Sequence, residues 1–150
     1  MATITLLCGL PCAGKTTLAK QLERDRPALR LSEDDWVCRL YHPVEPHHDD
    51  RRLAIKEVQW DIAVRAVQLG ADVVLDWGMW TRAERDDFRA RAAAQEVGFE
   101  LRYLEAPLDE LVQRALARNG ALPPHSFAVT EAELRLWARE FEPPAPDELG

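Results

Sequence analysis

Three cysteines are all the chain contains: Cys8, Cys12 and Cys38. Their number is odd and their spacing is not that of a metal site. A disulfide framework is therefore excluded, and reduced thiols in a cytoplasm are expected. Long apolar runs are missing as well, and none approaches the roughly 18 residues of a membrane span. Met1-Ala2-Thr3-Ile4 lacks a charged region leading into a cleavable apolar stretch, so no signal peptide is expected. Basic residues are the minority: 19 Lys and Arg stand against 26 Asp and Glu, a net charge of −7. That balance argues against broad nucleic-acid or anionic-membrane surfaces, which reward clustered positive charge. Internal repeats are absent. What is plentiful is apolar. Hydrophobic residues make up 47% of the 150, which excludes disorder as the default. A single domain of this length (residues 1–150) buries roughly 68–70% of its unfolded surface and needs no staple.

The pattern alternates strands and helices. Residues 3–8 are short, apolar and β-branched, a buried strand bounded by Gly9 and Pro11. Residues 14–24 carry a helical stripe of Leu18, Ala19 and Leu22, ended by Pro27. A weak second strand spans 28–31, and Ser32 opens a short helix. Residues 41–48 read as loop. A long helix from Asp49 or Asp50 to Leu69 stops at Gly70. Residues 71–76 are the clearest buried strand. Thr81 with Glu84 caps a helix ending near Gly98. A fourth strand spans 99–105, a helix 108–118, a Gly- and Pro-containing loop 119–129, and a last helix runs from Thr130 to about Phe141. Residues 142–150, with Pro143, Pro144 and Pro146, read as an extended tail. Such alternation predicts a three-layer α/β/α domain on a short, mostly parallel sheet of four or five strands. Ligands in such sheets bind at the carboxyl ends of the strands, here Cys8-Gly9 and Asp76-Trp77.

Gly9-Leu10-Pro11-Cys12-Ala13-Gly14-Lys15-Thr16 matches the phosphate-binding loop pattern G-x-x-x-x-G-K-[ST] in full, between a strand and an amphipathic helix. A polyphosphate needs many donors without steric bulk, which glycines and backbone N–H groups at a helix N-terminus supply. Gly9, Pro11, Cys12, Ala13, Gly14, Lys15, Thr16 and Thr17 are the candidate nucleotide-binding residues. Lys15 is expected on the β- and γ-phosphates and Thr16 on Mg²⁺. Val73-Val74-Leu75-Asp76 has the shape of a Walker B strand, its acid placed near Mg²⁺ or the acceptor.

Ser32-Glu33-Asp34-Asp35 follows the second strand. An acid there would take the proton of an acceptor hydroxyl. Asp35 is the first candidate, although Ser32 and Asp35 also stand in capping-box spacing, and Asp34 competes. Arg114 and Arg118 lie four apart before the 119–130 segment, which reads as a lid. An arginine there would neutralise charge on the transferred phosphoryl, against the plain reading of an i, i+4 pair with Glu110. Arg82 and Arg85 fall in the first turn of a helix, where the dipole disfavours them. That hints at an acceptor contact, against surface pairing with Glu84 or Asp86. His42, His47 and His48 read as loop residues without zinc spacing. Trp36, Trp77 and Trp80 flank the candidate segments. Each suits core packing, and Trp36 is kept as a candidate acceptor wall.

These segments, together with Leu75-Asp76-Trp77-Gly78 and Thr81-Arg82-Ala83-Glu84-Arg85, resemble the small bacterial P-loop kinase-like ATP-binding proteins. That group is similar to polynucleotide kinases, chloramphenicol phosphotransferases and zeta-toxin-like kinases. The resemblance covers nearly the whole chain. It implies ATP and Mg²⁺ as cofactors, a general base at Asp35, a metal or acceptor acid at Asp76, and a lid arginine at Arg118 or Arg114. It also implies a fifth strand carrying part of the adenine site, for which the sequence offers no segment.

The expected function is transfer of the ATP γ-phosphoryl to a hydroxyl of a small-molecule acceptor. Glu33, Asp34, Asp35 and Asp76 would make the acceptor side acidic and suit a cationic antibiotic such as an aminoglycoside. An anionic acceptor would need Arg82 and Arg85 turned inward. The alternatives are a polynucleotide or nucleoside 5′-hydroxyl kinase and a nucleotide-binding switch or ATPase module without an acceptor. Monomer and homodimer are both compatible with the sequence.

Overall fold

The computed structural model describes residues 2–41, 49–124 and 127–149. Four strands form one parallel sheet: β1 (Thr3–Cys8), β2 (Ala28–Ser32), β3 (Asp72–Asp76) and β4 (Gly98–Tyr103), in the order β2-β3-β1-β4. The central pair, β1 and β3, is buried almost end to end. That is why both read as continuous apolar runs rather than alternating ones. The edge strands β2 and β4 are only partly covered, which accounts for the weaker signal of β2. The expected three-layer α/β fold is the one found, and its sheet is entirely parallel. No fifth strand occurs among the described residues.

Six helices connect and cover the sheet: α1 (Lys15–Asp25), α2 (Glu33–Leu40), α3 (Asp49–Gln68), α4 (Arg82–Ala94), α5 (Leu108–Asn119) and α6 (Glu131–Glu140). Alternation along β1 divides the core. Ile4, Leu6 and Cys8 join Trp60, Ala63 and Val67 of α3 and Phe88 of α4. Leu7 on the opposite face joins Ala19 and Leu22 of α1. A third cluster of Ala13, Leu111, Val112, Ala115, Val129 and Leu134 ties the phosphate loop to α5, α6 and the segment between them.

Register sets the functional edge. Asp76 of β3 lies opposite Leu7 of β1 and Ser32 of β2. The three strands therefore end level, and their following residues share one rim.

The C-terminal stretch departs from the extended tail expected. Pro146–Glu148 forms a 3-10 turn, and Glu148 is 5% exposed. The cause is Arg85. This arginine is wholly buried and receives Glu148 as its counter-ion, with Nε 2.8 Å from Oε1. A buried guanidinium without a carboxylate would be very costly, so the tail is drawn onto α4.

Candidate functional site: a phosphate loop facing two acidic segments

The chain leaves β1 at Cys8 and turns at Gly9. Leu104 N donates to Cys8 O at 2.9 Å, which brings the next strand's exit so close that a Cβ on Gly9 would stand 2.8 Å from Leu104 O. Only glycine fits there. Gly14 immediately precedes α1 at φ 100, a left-handed conformation that penalises any Cβ. Ala13 N donates within the loop to Leu10 O at 3.2 Å, while the start of α1 has no side-chain cap and can offer its N–H groups to an anion.

Lys15 and Thr16 open that helix. Lys15 Nζ donates to Gly9 O (3.0 Å) and Leu10 O (2.8 Å), folding over the loop. Burial holds its pKa below the usual lysine value, while Asp76 and Asp34 pull it back up. Thr16 Oγ1 donates to Asp76 Oδ2 at 2.9 Å. Asp76 is nearly buried. Desolvation raises its pKa, opposed by the Thr16 hydrogen bond, Lys15 and Arg30. A hydroxyl and a carboxylate this close at the mouth of a phosphate loop are oxygen donors of the kind magnesium takes, so the residues present fit that ion.

Three acids occupy the first turn of α2, and each has its own cation. Ser32 Oγ accepts from Asp35 N at 3.2 Å, capping the helix. The Asp35 carboxylate does not return the bond; it accepts from Arg30 Nη2 at 2.8 Å. Asp34 accepts from Arg52 Nη1 at 2.7 Å. Glu33 lies 3.6 Å from Arg52 and 3.8 Å from Lys56. Three cations, Arg30, Arg52 and Lys56, therefore offset most of the charge of the four acids expected from sequence, Arg30 serving Asp35 and Asp76 and Arg52 serving Asp34 and Glu33. Asp34 acts electrostatically on both Lys15 and Asp76, raising the pKa of each.

A family model described as an AAA domain matches residues 4–144. The chain belongs to this AAA domain family. No curated protein matches it in sequence. Among solved structures it is similar to a candidate kinase from Chloroflexus aurantiacus, with a TM-score of 0.73 at 21% identity over 97% of this chain and 80% of that one. A sugar kinase from Janibacter sp. gives 0.67 at 16% identity, over 100% and 83% of the two chains. A gluconokinase from Sinorhizobium meliloti gives 0.64 at 16% identity, over 97% and 78%. At such identities the likeness establishes the fold, that of the small P-loop kinase-like proteins.

The remaining candidates divide within this AAA domain. Arg114 Nη1 donates to Cys12 O of the phosphate loop at 3.1 Å and also pairs with Glu110. Arg118 instead faces the segment after α5: its Nη2 donates to Phe127 O at 3.2 Å, and its buried Nε has no hydrogen-bond partner among the described residues. Asn119 clasps the same segment, donating to Val129 O (2.7 Å) and accepting from Val129 N (3.1 Å). Both arginines thus meet elements of the expected site, Arg114 the loop and Arg118 the 119–130 segment.

Arg82 and Arg85 do not reach it. Arg82 is exposed and pairs with Asp86 and Asp147, while Arg85 serves the tail. Arg82 thus has the surface partner Asp86 that the sequence offered, and both arginines also meet carboxylates more than 60 residues away, Asp147 and Glu148. Trp36 packs partly buried against the main core, and Trp77 is core at 2% exposure; the structure gives Trp36 a packing role. His42, His47 and His48 lie outside the described residues. No cluster of three metal-ligating side chains occurs among the described residues, and none of their helices is long and apolar enough to cross a membrane.

Sequence reasoning missed Arg30, Arg52, Lys56 and Gln59. Arg30 had one available signal, a charge between two leucines in a strand. Arg52 and Lys56 had another, two cations at i, i+4. Gln59 is wholly buried in α3, accepting from Trp77 Nε1 at 2.7 Å and donating to Ser32 O at 3.0 Å.

Proposed function

We propose that this protein is an ATP-dependent phosphotransferase acting on a hydroxyl of a small polyhydroxylated acceptor. The observation that carries the reading is the convergence at one rim of Lys15, the Thr16–Asp76 pair and the acids of α2. The loop amides and Lys15 would hold the triphosphate. Thr16 Oγ1 and Asp76 Oδ2 would hold magnesium, which supplies neutralisation of phosphate charge when bound. Arg114, already on the loop, and Arg118, which is bonded to Phe127 O, would meet the transferred group. Closure of the 119–130 lid would exclude water.

In the reaction the acceptor oxygen forms a bond to the γ-phosphorus, and the bond from that phosphorus to the β,γ-bridging oxygen breaks. ADP leaves with that electron pair, and the acceptor proton passes to a carboxylate. Asp34 is the better base. It is 54% exposed, Arg52 orients it, and its charge reaches Lys15 and Asp76. Asp35 is 30% exposed, and its cation, Arg30, also contacts Asp76.

Three cations offset most of the charge of the four acids on the acceptor side, which favours a neutral or mildly anionic polyol over a cationic antibiotic. The sugar kinase and gluconokinase among the structural relatives support the same choice. The test is transfer from Mg-ATP to a panel of sugars, sugar acids, nucleosides, aminoglycosides and 5′-hydroxyl oligonucleotides, read by mass spectrometry with Lys15→Ala as control. A sugar-type product gaining one phosphoryl group, and lost in the variant, is expected. Transfer to an antibiotic or an oligonucleotide alone would replace the acceptor class. Tight nucleotide binding without transfer to any member would favour a nucleotide switch.

A further inference from the structure

Arg30 is bonded from every edge of its guanidinium. Nη2 lies 2.8 Å from Asp35 Oδ2, Nη1 lies 3.4 Å from Asp76 Oδ2, and Nε lies 3.9 Å from Glu23 Oε2. One side chain on β2 therefore links α1, α2 and the end of β3. Two features make this more than a surface pair. The side chain is only 14% exposed. It also shares a single oxygen with the site, since Thr16 Oγ1 donates to the same Asp76 Oδ2.

We propose that Arg30 is a positioning residue that occupies the metal-facing oxygen of Asp76 in the nucleotide-free protein and yields it when a divalent cation arrives, keeping its hold on Asp35. The inference rests on the reading of Thr16 and Asp76 as metal donors. The asymmetry of the two bonds gives its direction. The contact with Asp35 is a short charge-assisted hydrogen bond, whereas the one with Asp76 is long and weak. A cation on Oδ2 would face the guanidinium across a few ångströms in a poorly solvated rim, where like charges repel strongly. The weak end gives way and the strong end stays. Arg30 then keeps Asp35, with Glu23 at 3.9 Å, so occupancy of the rim sets how firmly the first turn of α2, which carries Asp34, is held.

The test needs no acceptor. The Mg²⁺ concentration required for half-maximal binding of a fluorescent ATP analogue is measured for the wild-type chain, Arg30→Gln, Asp35→Asn and Arg91→Gln. Arg30→Gln removes the competitor and is expected to lower the requirement roughly three- to tenfold. Asp35→Asn frees Arg30 to settle on Asp76 and is expected to raise it by a similar factor. Arg91→Gln removes an equal charge, paired with Glu57 and Asp87 rather than with a residue of the site, and is expected to leave the requirement within about twofold. An unchanged or higher requirement in Arg30→Gln overturns the proposal, as does an equal fall in Arg91→Gln, which would mean an effect of net charge. Should Arg30→Gln not fold, Asp35→Asn decides, an unchanged or lower requirement counting against it. Absence of Mg-dependent nucleotide binding in the wild-type chain would overturn the phosphotransferase reading too. Normal binding with the wrong order of variants would overturn this inference alone.

Discussion

Trp77 and Gln59 meet in the interior, the indole N–H donating to the amide oxygen at 2.7 Å. The other end of that amide donates to Ser32 O. One buried glutamine of α3 thus fastens the residue after Asp76 to the residue that caps α2. The two acidic segments of the site are held at a fixed separation by a side chain that touches neither nucleotide nor acceptor. Gln59→Leu would keep the volume and strand two buried polar groups. A loss of about 2–4 kcal/mol is expected, from one to a few kcal/mol for each unpaired group. Urea denaturation measures it. A loss below about 1 kcal/mol would mean that water or a shifted neighbour satisfies both groups.

Asp34 and Asp35 are adjacent on a helix, so their side chains leave it about 100° apart. One meets Arg52 and the other meets Arg30. Asp34→Asn is expected to lower kcat by roughly 10²–10⁴, the usual worth of a general base, with nucleotide affinity kept. Asp35→Asn is expected to act mainly on the acceptor KM, through a loosened α2. Rate measurements on both variants with the best acceptor decide between them, and the reverse pattern would return the base to Asp35.

Much of this site was legible in the sequence, and the boundary has a physical cause. The phosphate loop and Asp76 depend on local pattern: a buried central strand, a glycine where a Cβ would clash with Leu104 O, and a lysine and threonine opening a helix. Ser32 was readable as a cap for the same reason. Arg30, Arg52, Lys56 and Gln59 act across strands and helices, so their roles depend on register and packing. The acidic rim inferred from Glu33, Asp34, Asp35 and Asp76 lacked its cations because those come from β2 and α3. For Arg82 the sequence offered Asp86 as one of two readings, and that pair is present; the carboxylates of the tail, Asp147 and Glu148, were not legible because they reach Arg82 and Arg85 only through the fold.

Glu33 gives the fold a signed pH dependence. Its side chain is 13% exposed, and Oε2 has no hydrogen-bond partner among the described residues. Burial pushes its pKa from an ordinary 4.5 up to about 7, against the pull of Lys56 and Arg52. Between those values the native protein holds a proton that the unfolded chain has released. This group's contribution therefore falls as pH rises through the window, and its cost is fully present above about pH 7. Glu33→Gln removes the cost. The variant is expected to be more stable than the wild-type chain at pH 8 by on the order of 1–3 kcal/mol, with the gain vanishing below about pH 4.5. Denaturation midpoints of both proteins across that range test the sign. A gain independent of pH would place the effect in packing instead.

The tail is the last element whose role can be tested by subtraction. Arg85 meets Glu148 at two points, 2.8 Å from Nε and 3.3 Å from Nη2, and donates to Met79 O at 3.2 Å. Its Nη1 also lies 3.9 Å from Cys8 Sγ, at the root of the phosphate loop. Breaking the pair from one side leaves a buried charge, so Glu148→Leu is expected to cost about 3–5 kcal/mol. Replacing both partners with apolar groups, as in Arg85→Met with Glu148→Leu, is expected to recover most of that loss, because the desolvation of both charges disappears together. A double-mutant cycle by denaturation supplies the coupling. Strong coupling with nucleotide affinity restored in the double variant would mean that the tail supports the loop through packing alone. Stability restored without nucleotide affinity would mean that the Arg85 charge itself, two contacts from Gly9, contributes to holding the phosphates.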